Sequence, residues 1–132
     1  MMTFSDAIRV CFAKYAAFAG RAARAEFWWW VGFYLLGSAV VVIFDAATFP
    51  LSGGLFSLLF PLAIFLPTLA VAARRLHDIG KSGWWLLLWL VPLIGPLILI
   101  YWWASRGEAG PNDHGPDPLN PDFVPDAPFV EG

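Results

Sequence analysis

This chain of 132 residues contains three long stretches without a charged residue, and these stretches restrict most strongly what it can fold into. The first covers 27–44 and extends to 49 if Asp45 lies at the membrane interface, the second covers about 51–73, and the third covers 84–103. About 20 apolar residues in a helix cross the hydrocarbon core of a bilayer, which is roughly 30 Å thick. A soluble domain of this length cannot enclose three such helices. The stretches therefore predict three transmembrane helices.

The composition agrees with a membrane location. Hydrophobic residues make up 59% of the chain and charged residues 14%, against about 45–50% and about 25% in ordinary soluble domains. So high an apolar content excludes a disordered chain. Cys11 is the only cysteine, which excludes a small secreted domain held together by disulfides.

The third stretch contains a break that leaves two arrangements open. Pro92, Gly95 and Pro96 lie near its middle, and a proline inside a helix kinks or ends it. The break is compatible with a kink in one span or with the tip of a re-entrant hairpin whose arms, of eight or nine residues, would be too short to span. A single kinked span is the simpler arrangement, and it is our expectation.

The N-terminal segment has the pattern of an amphipathic helix over 4–19. One helical face carries the apolar residues, namely Phe4, Ile8, Cys11, Phe12, Tyr15, Phe18 and Ala19. Thr3 and Asp6 resemble a capping box, and Gly20 is a natural stop. We expect this helix to lie flat on the membrane surface.

Basic residues divide unevenly between the segments that connect the stretches. Four precede residue 27, three lie in the loop 74–83, one lies in the tail and none lies in the turn 45–54. Cytoplasmic segments of membrane proteins carry the excess of Lys and Arg. We therefore expect the N-terminus and the loop 74–83 in the cytoplasm and the tail outside.

The predicted architecture is an all-α integral membrane protein with an N-terminal amphipathic surface helix, three transmembrane helices and a disordered acidic, proline-rich tail. Residues 1–26 form the cytoplasmic helix and basic segment, 27–103 the membrane domain and 104–132 the tail. The predicted spans cover about 27–49, 51–73 and 84–103, and the basic loop covers 74–83. The tail holds six of the eleven prolines and six of the ten acidic residues, which is typical of solvated irregular chain.

Three motifs carry a resemblance to a known family. Residues 18–28 read FAGRAARAEFW, 74–85 read RRLHDIGKSGWW and 112–118 read NDHGPDP. Their order and spacing over roughly residues 10–118 resemble the "domain of unknown function 805" family of small bacterial inner-membrane proteins. Lys81 and His114 stand where Arg and an aromatic residue are common in that family. The resemblance implies a multi-pass protein of the bacterial inner (plasma) membrane and no established reaction.

The loop 74–83 is the densest polar cluster of the sequence, and it has two interpretations. The first is a positively charged anchor with a tight turn, in which Ser82 caps the next helix. The second is a site for an anionic headgroup or phosphate, because guanidinium groups match phosphate oxygens. The candidate binding residues are Arg21, Arg24, Arg74, Arg75, His77 and Lys81. The structural motif residues are Glu26, Asp78, Gly80, Ser82, Gly83, Trp84, Trp85, Asn112, Gly115, Pro116 and Pro118.

Other kinds of site are not indicated. Gly80-Lys81-Ser82 resembles the end of a P-loop, but Arg75 stands where that motif requires glycine. His77 and Asp78 are too few for a metal site, and in the predicted topology the bilayer separates His114 from them. No catalytic constellation, cofactor site or nucleic-acid interface is visible.

These observations predict a non-enzymatic interaction or lipid-contacting component of unknown biochemical activity. Its partners would be membrane lipids and either a second copy of itself or a larger membrane protein. An oligomeric transporter or channel subunit is one alternative. A membrane enzyme that modifies lipid headgroups, with His77 and Asp78 as acid–base groups, is another.

Overall fold

The computed structural model describes residues 2–48 and 54–119, and within them every regular element is a helix. The elements are α1 (Phe4–Ala13), α2 (Arg24–Thr48), α3 (Leu55–Ala63), α4 (Phe65–Asp78), a 3-10 helix (Gly83–Leu90) and α5 (Ile94–Ala104). The chain divides into two compact units: the first comprises Met1–Ala17 and Ala25–Val71, the second Phe18–Arg24 and Ala72–Gly132. Residues 49–53 and 120–132 of the predicted turn and tail lie outside the described residues.

Two of the three apolar stretches form helical segments of membrane-spanning length. α2 has 25 residues, which extend about 37 Å at 1.5 Å per residue. α3 and α4 are bent by 42° at their junction and together are long and apolar enough for one broken span. The described part of the chain thus holds one helix that could cross a membrane, or two if the bent pair is one span. The all-helical prediction is confirmed, whereas three spans are not.

Helix α1 is shorter than predicted. The capping box is present, because the Thr3 hydroxyl accepts from the Asp6 amide and the Asp6 carboxylate accepts from the Thr3 amide. These bonds lower the pKa of Asp6 below its usual value. The helix ends at Ala13, not at residue 19. Beyond it, the Tyr15 hydroxyl donates to the carbonyl of Ala63, so a tertiary contact replaces the predicted last turns.

Aromatic rings hold the helices of the first unit together. The ring of Phe12 on α1 meets the rings of Trp30 and Phe33 on α2 edge-on, at centroid distances of 5.3 and 5.9 Å. Trp30 also donates its indole N–H to the Thr68 hydroxyl on α4, at 3.0 Å. Such edge-to-face pairs contribute about 0.5–1.5 kcal/mol each beyond the area they bury. The aromatic residues therefore fix α1 and α4 against α2.

Asp45 is the one acidic residue near the far end of α2, and it caps α3. Its carboxylate accepts from the amides of Phe56 and Ser57, at 3.3 and 2.8 Å, and from the Ser57 hydroxyl at 2.8 Å. The first amides of a helix have no partner within the helix, and a carboxylate there also complements the helix dipole. These bonds explain how an apolar stretch accommodates a buried carboxylate.

The third apolar stretch is not a single kinked span but a helical hairpin. The 3-10 helix and α5 lie side by side, and the rings of Trp85 and Trp102 are 5.6 Å apart. In one continuous helix these residues would be about 25 Å apart. A Cβ added to Gly95 would lie 1.6 Å from the Leu88 carbonyl oxygen, so the two arms pack backbone to backbone. Residues 83–104 are therefore a hairpin of two short helices and not one kinked helix, and a third span is not confirmed.

Proline and an uncommon turn explain the reversal. Val91 is extended, which is the conformation that a following proline favours. Leu93 has φ 68° and ψ −59°, and the Ile94 amide donates to the Pro92 carbonyl at 2.8 Å. These values define a classic γ-turn, which is rare and strained. Pro96 is the third residue of α5, where its missing N–H leaves no helical hydrogen bond unmade.

The segment after α5 is irregular but ordered up to residue 119. Asn112 and Gly115 exchange two backbone hydrogen bonds, at 3.0 and 3.1 Å. The Asp117 carboxylate is buried and accepts from the amides of Gly110 and Leu119, both at 2.9 Å. The predicted disorder of the tail is therefore not confirmed for residues 105–119, where Asp117 binds backbone amides instead of facing solvent.

Candidate functional site

A buried carboxylate between two guanidinium groups forms the centre of the second unit. Arg21 Nε donates to Asp78 Oδ1 at 2.9 Å, and Arg75 Nη1 donates to Asp78 Oδ2 at 2.6 Å. All three side chains are buried. Arg75 and Asp78 are three residues apart in the last turn of α4 and so share a face. Arg21 comes from the segment that precedes α2 and closes the triad.

Backbone carbonyls take up the remaining donors of the two arginines. Arg21 donates to the carbonyls of Gly110 (2.6 Å), Gly115, Glu108 and Asp78. Arg75 donates to the carbonyls of Trp103 (3.0 Å), Ser105 and Ala22. Every guanidinium nitrogen of both side chains therefore has an acceptor within the chain. These acceptors compensate two buried positive charges that face a single carboxylate.

The C-terminal end of α5 is one of the places where these donors converge. Arg75 reaches the carbonyls on either side of Ala104, and Arg24 Nη1 approaches the Ala104 carbonyl itself at 3.4 Å. The last carbonyls of a helix lack partners within it and carry the negative end of the helix dipole. The two arginines thus cap α5 and join it to the end of α4.

Two histidines stack beside the triad. The imidazole rings of His77 and His114 are parallel, with centroids 4.1 Å apart. His77 Nδ1 lies 2.9 Å from the Gly20 carbonyl and donates to it, and the Asn112 side-chain amide donates to the His77 carbonyl at 2.9 Å. The prediction that the bilayer separates the third motif from the second is therefore wrong.

The three sequence motifs thus meet in one place, which we call the polar cluster. It consists of Arg21 from the first motif, Arg75, His77 and Asp78 from the second, and Asn112 and His114 from the third. Gly115 also belongs to this region, because its carbonyl accepts from Arg21. Pro116 and Pro118 follow it, on either side of the buried Asp117.

The loop predicted over 74–83 is shorter in the structure, because α4 continues to Asp78 and only 79–83 form the turn. Gly80 has φ +78°, and the amides of Gly80 and Lys81 donate to the carbonyls of His77 and Leu76. This is the Schellman arrangement, which satisfies the end of α4. The Ser82 hydroxyl caps the 3-10 helix by accepting from the Trp84 amide at 3.3 Å, and Gly83 begins that helix.

The other candidate residues are distributed between exposed and buried positions. Arg24 is exposed, and the Lys81 ammonium lies 4.6 Å above the ring of Trp102. Arg74 is buried in α4, and Glu26 is buried in the first turn of α2, in the first unit. Trp84 is 79% exposed at the start of the 3-10 helix, next to Trp85, which packs on Trp102.

Gly107 contributes to the polar cluster, although the sequence did not single it out. A Cβ at this position would lie 1.9 Å from Asp78 Oδ2, which Arg75 holds in place. Only glycine lets the chain after α5 pass so close to the carboxylate. Spacing could not reveal Gly107, because the approach depends on the hairpin that precedes it.

A small open cleft of about 250 Å³ lies beside the histidine stack. It is lined by Gly80, Glu108, Pro111, Asn112, Asp113 and His114. Within residues 2–48 and 54–119, no group of three His, Cys, Asp or Glu side chains could hold a metal ion.

Comparison with known proteins places the first two motifs and residues 112–116 of the third within one family match. The family described as "Protein of unknown function (DUF805)" matches residues 15–116. The chain belongs to this family. The matched region contains every residue of the polar cluster. DUF805 membership confirms the resemblance carried by the motifs, and it comes with no biochemical activity.

Relatives in Escherichia coli (strain K12) are inner membrane proteins by name. "Inner membrane protein YhaI" is 43% identical over 107 residues, which are 80% of this chain and 88% of the relative. "Inner membrane protein YhaH" is 38% identical over 108 residues, or 80% of this chain and 89% of the relative. No solved structure matches the chain. Together with the apolar helices, these similarities identify the chain as a helical inner-membrane protein of the DUF805 family.

Proposed function

We propose that the chain is a non-enzymatic component of the bacterial inner membrane whose polar cluster fastens the chain segments that leave the membrane. The observation that carries this proposal is that every guanidinium nitrogen of Arg21 and Arg75 donates to an acceptor of the chain itself. An arginine that binds a ligand directs donors outward. These two direct theirs inward, as fastening requires.

The arrangement of His77 and Asp78 supports a structural role over an acid–base role. The Asp78 carboxylate bonds to Arg21 and Arg75, whereas His77 bonds to the Gly20 carbonyl and stacks on His114. An acid–base pair would instead share a hydrogen bond or face a common substrate position. The same geometry therefore favours the interaction component over a headgroup-modifying enzyme.

Two of the six candidate binding residues remain suited to anionic headgroups. Arg24 is exposed and Lys81 is partly exposed, and both lie at the end of α5 beside Trp102 and Ala104. Indole rings prefer the headgroup region, and a basic residue there adds about 1 kcal/mol of attraction to anionic lipid. We therefore assign headgroup contact to Arg24 and Lys81 and a scaffolding role to Arg21 and Arg75.

The proposed orientation places the polar cluster on the cytoplasmic side of the membrane. α2 begins at Arg24 and α4 ends at Asp78, and the basic residues lie around these two ends rather than around the turn that contains Asp45. The positive-inside rule then puts the N-terminus and the loop 74–83 on the cytoplasmic side. The exposed apolar surface of the first unit is available to lipid, to a second copy or to a larger membrane protein.

Lipid selectivity tests the headgroup assignment. The purified protein in mild detergent is titrated with phosphatidylglycerol and with phosphatidylcholine, and bound lipid is counted by native mass spectrometry. We expect a preference for phosphatidylglycerol that Arg24→Ala with Lys81→Ala reduces severalfold.

The matched control removes the same charge elsewhere, through Arg9→Ala with Lys14→Ala, and should retain the preference. Equal loss in both double variants would attribute the preference to net charge and contradict the assignment. An unchanged preference in the Arg24 and Lys81 variant would do the same.

A further inference from the structure

The hairpin exposes apolar side chains on nearly every side. The residues that are more than half exposed are Trp84, Leu87, Trp89, Leu90, Leu93, Ile94, Leu97 and Tyr101. Leu90 and Leu93, next to the tip, are 76% and 78% exposed. No charged residue occurs between Lys81 and Arg106. An apolar surface of this extent requires an apolar partner.

The two arms have the same length, which is about half the thickness of the hydrocarbon core of a bilayer. Eight residues of 3-10 helix rise about 16 Å. Eleven residues of α5 rise about 16 Å as well. The hydrocarbon core of a bilayer is about 30 Å thick, so each arm matches one leaflet. The tip would thus lie near the midplane, and neither arm could cross.

The side chains along the hairpin follow the order that a single leaflet would require, with the exception of Trp89 next to the tip. Aromatic residues gather at its base, namely Trp84, Trp85, Tyr101, Trp102 and Trp103. Aliphatic residues and Pro92 form the tip at 90–94. Lys81 and Arg106 stand outside the base. This order of charge, aromatic belt and aliphatic tip follows the order of headgroup, interface and acyl chain.

The backbone at the tip also suits a medium without water. Irregular backbone inside a membrane needs partners for its amides. The amides of Val91, Ile94 and Gly95 donate to the carbonyls of Leu88, Pro92 and Val91, at 2.9, 2.8 and 3.1 Å. Pro92 has no amide hydrogen. The reversal therefore brings few unmet donors into the hydrocarbon core.

We infer that residues 83–104 insert as a re-entrant hairpin into the leaflet next to the polar cluster and contact its acyl chains. The chain enters and leaves the membrane on one side, so the segment 105–119 rejoins the loop 74–83, as its contacts with Arg21 and His77 require. All eight basic residues then lie on a single side. That this side is cytoplasmic rests on the proposed orientation.

Site-directed labelling tests the inference in the full chain. Cys11→Ala provides a cysteine-free background for Ser82→Cys, Leu93→Cys and Ala109→Cys in separate proteins. A membrane-impermeant maleimide is applied to right-side-out and to inverted vesicles. We expect positions 82 and 109 to react from the same side and position 93 to react from neither. Reaction of 82 and 109 from opposite sides would show a span and overturn the hairpin.

The side of reaction separates this inference from the proposed orientation. If 82 and 109 both react only from the periplasmic side, the hairpin stands and the orientation fails. Depth is measured with a bimane at position 93 and nitroxide-labelled lipids. Stronger quenching by a nitroxide deep in the acyl chain is expected, whereas stronger quenching by a nitroxide near the headgroup would place the hairpin on the surface and overturn its insertion.

Discussion

The second and third apolar stretches are alike in sequence, but the chain continues through the second and turns back in the third. Each is free of charge, and each contains two prolines near its middle. The second forms α3 and α4, which continue through a bend of 42°. The third turns back on itself at 91–93. The number of prolines therefore does not decide whether an apolar stretch bends or reverses.

The two breaks differ in whether helical backbone hydrogen bonds continue across them. At Ile64 the amide still donates to the Phe60 carbonyl, at 3.2 Å, and the carbonyl still accepts from the Thr68 amide, at 3.0 Å. The helical hydrogen bonds thus pass through the bend. At Leu93 the backbone takes a positive φ instead, and Gly95 lets the returning arm touch the Leu88 carbonyl. A bend keeps the helical ladder, whereas a reversal needs a turn and a position without a side chain.

Substitution of Asp78 tests the anchor that fastens the returning hairpin. Asp78→Ala leaves Arg21 and Arg75 buried without their shared carboxylate, which costs about 3–5 kcal/mol. We expect the largest loss of thermal stability of any change proposed here, measured by circular dichroism in detergent. Asp113→Ala removes an exposed acidic residue of the neighbouring cleft and should have little effect. Equal stability of the two variants would contradict the anchoring role.

Gly95→Ala distinguishes a hairpin from a continuous helix in the third apolar stretch. In a continuous helix, alanine would be favoured over glycine by about 1 kcal/mol. In the hairpin its methyl group meets the Leu88 carbonyl, and such overpacking costs about 1–3 kcal/mol. Unfolding measurements should therefore show a loss. The control is Gly32→Ala in α2, where no atom lies within 4 Å of the added methyl, and which should be neutral or stabilising.

Asp45→Ala tests the cap of α3, the first helix of the second apolar stretch. Its loss leaves the first amides of α3 without their acceptor and costs about 1–2 kcal/mol. Thermal unfolding should show this decrease. Asp45→Asn keeps a side-chain oxygen, so it should lose less. A larger loss for the asparagine variant would show that the cap is not what Asp45 provides.

Leu93→Gly has the smallest expected effect and the opposite sign. Glycine takes a positive φ without strain, so the γ-turn should gain up to about 1 kcal/mol of stability. Leu97→Gly removes an equally apolar side chain from α5 and should destabilise the protein instead. A loss of stability at position 93 that matches the loss at 97 would mean that the turn is not strained.

The sequence predicts where α1 begins and the apolar length of α2, because a cap and a hydrophobic run are local signals. Thr3 and Asp6 form the expected capping box. The end of α1 was not predicted, because it depends on the tertiary contact of Tyr15 with Ala63. The hairpin was only the alternative to the expected kinked span, since twenty uncharged residues look the same in one span and in two short arms. The deciding feature is the contact of Gly95 with Leu88, which exists only in the folded chain.

The site was predicted in its residues but not in its arrangement. Arg21, Arg75, Asp78 and Asn112 all stand in the quoted motifs. The expected third span put Asn112 across the bilayer from His77, so contacts between the third motif and the other two were excluded. The hairpin brings the third motif back to them. The expected span thus concealed the contacts of Arg21 and His77 with residues 108–115, whereas it left the contact of Arg21 with Asp78 open.

The distance along the chain between Arg21 and its acceptors determines when its hydrogen bonds can form during synthesis. Arg21 precedes the Gly110 carbonyl that it binds by 89 residues. During synthesis, Asp78 is available to Arg21 before the carbonyls of Glu108 and Gly110 are made. Contacts so distant along the chain form slowly, so we expect the bonds of Arg21 to residues 108–115 to form late in folding. A chain truncated before residue 108 would keep the bonds of Arg21 and Arg75 to Asp78 but would lose these later ones.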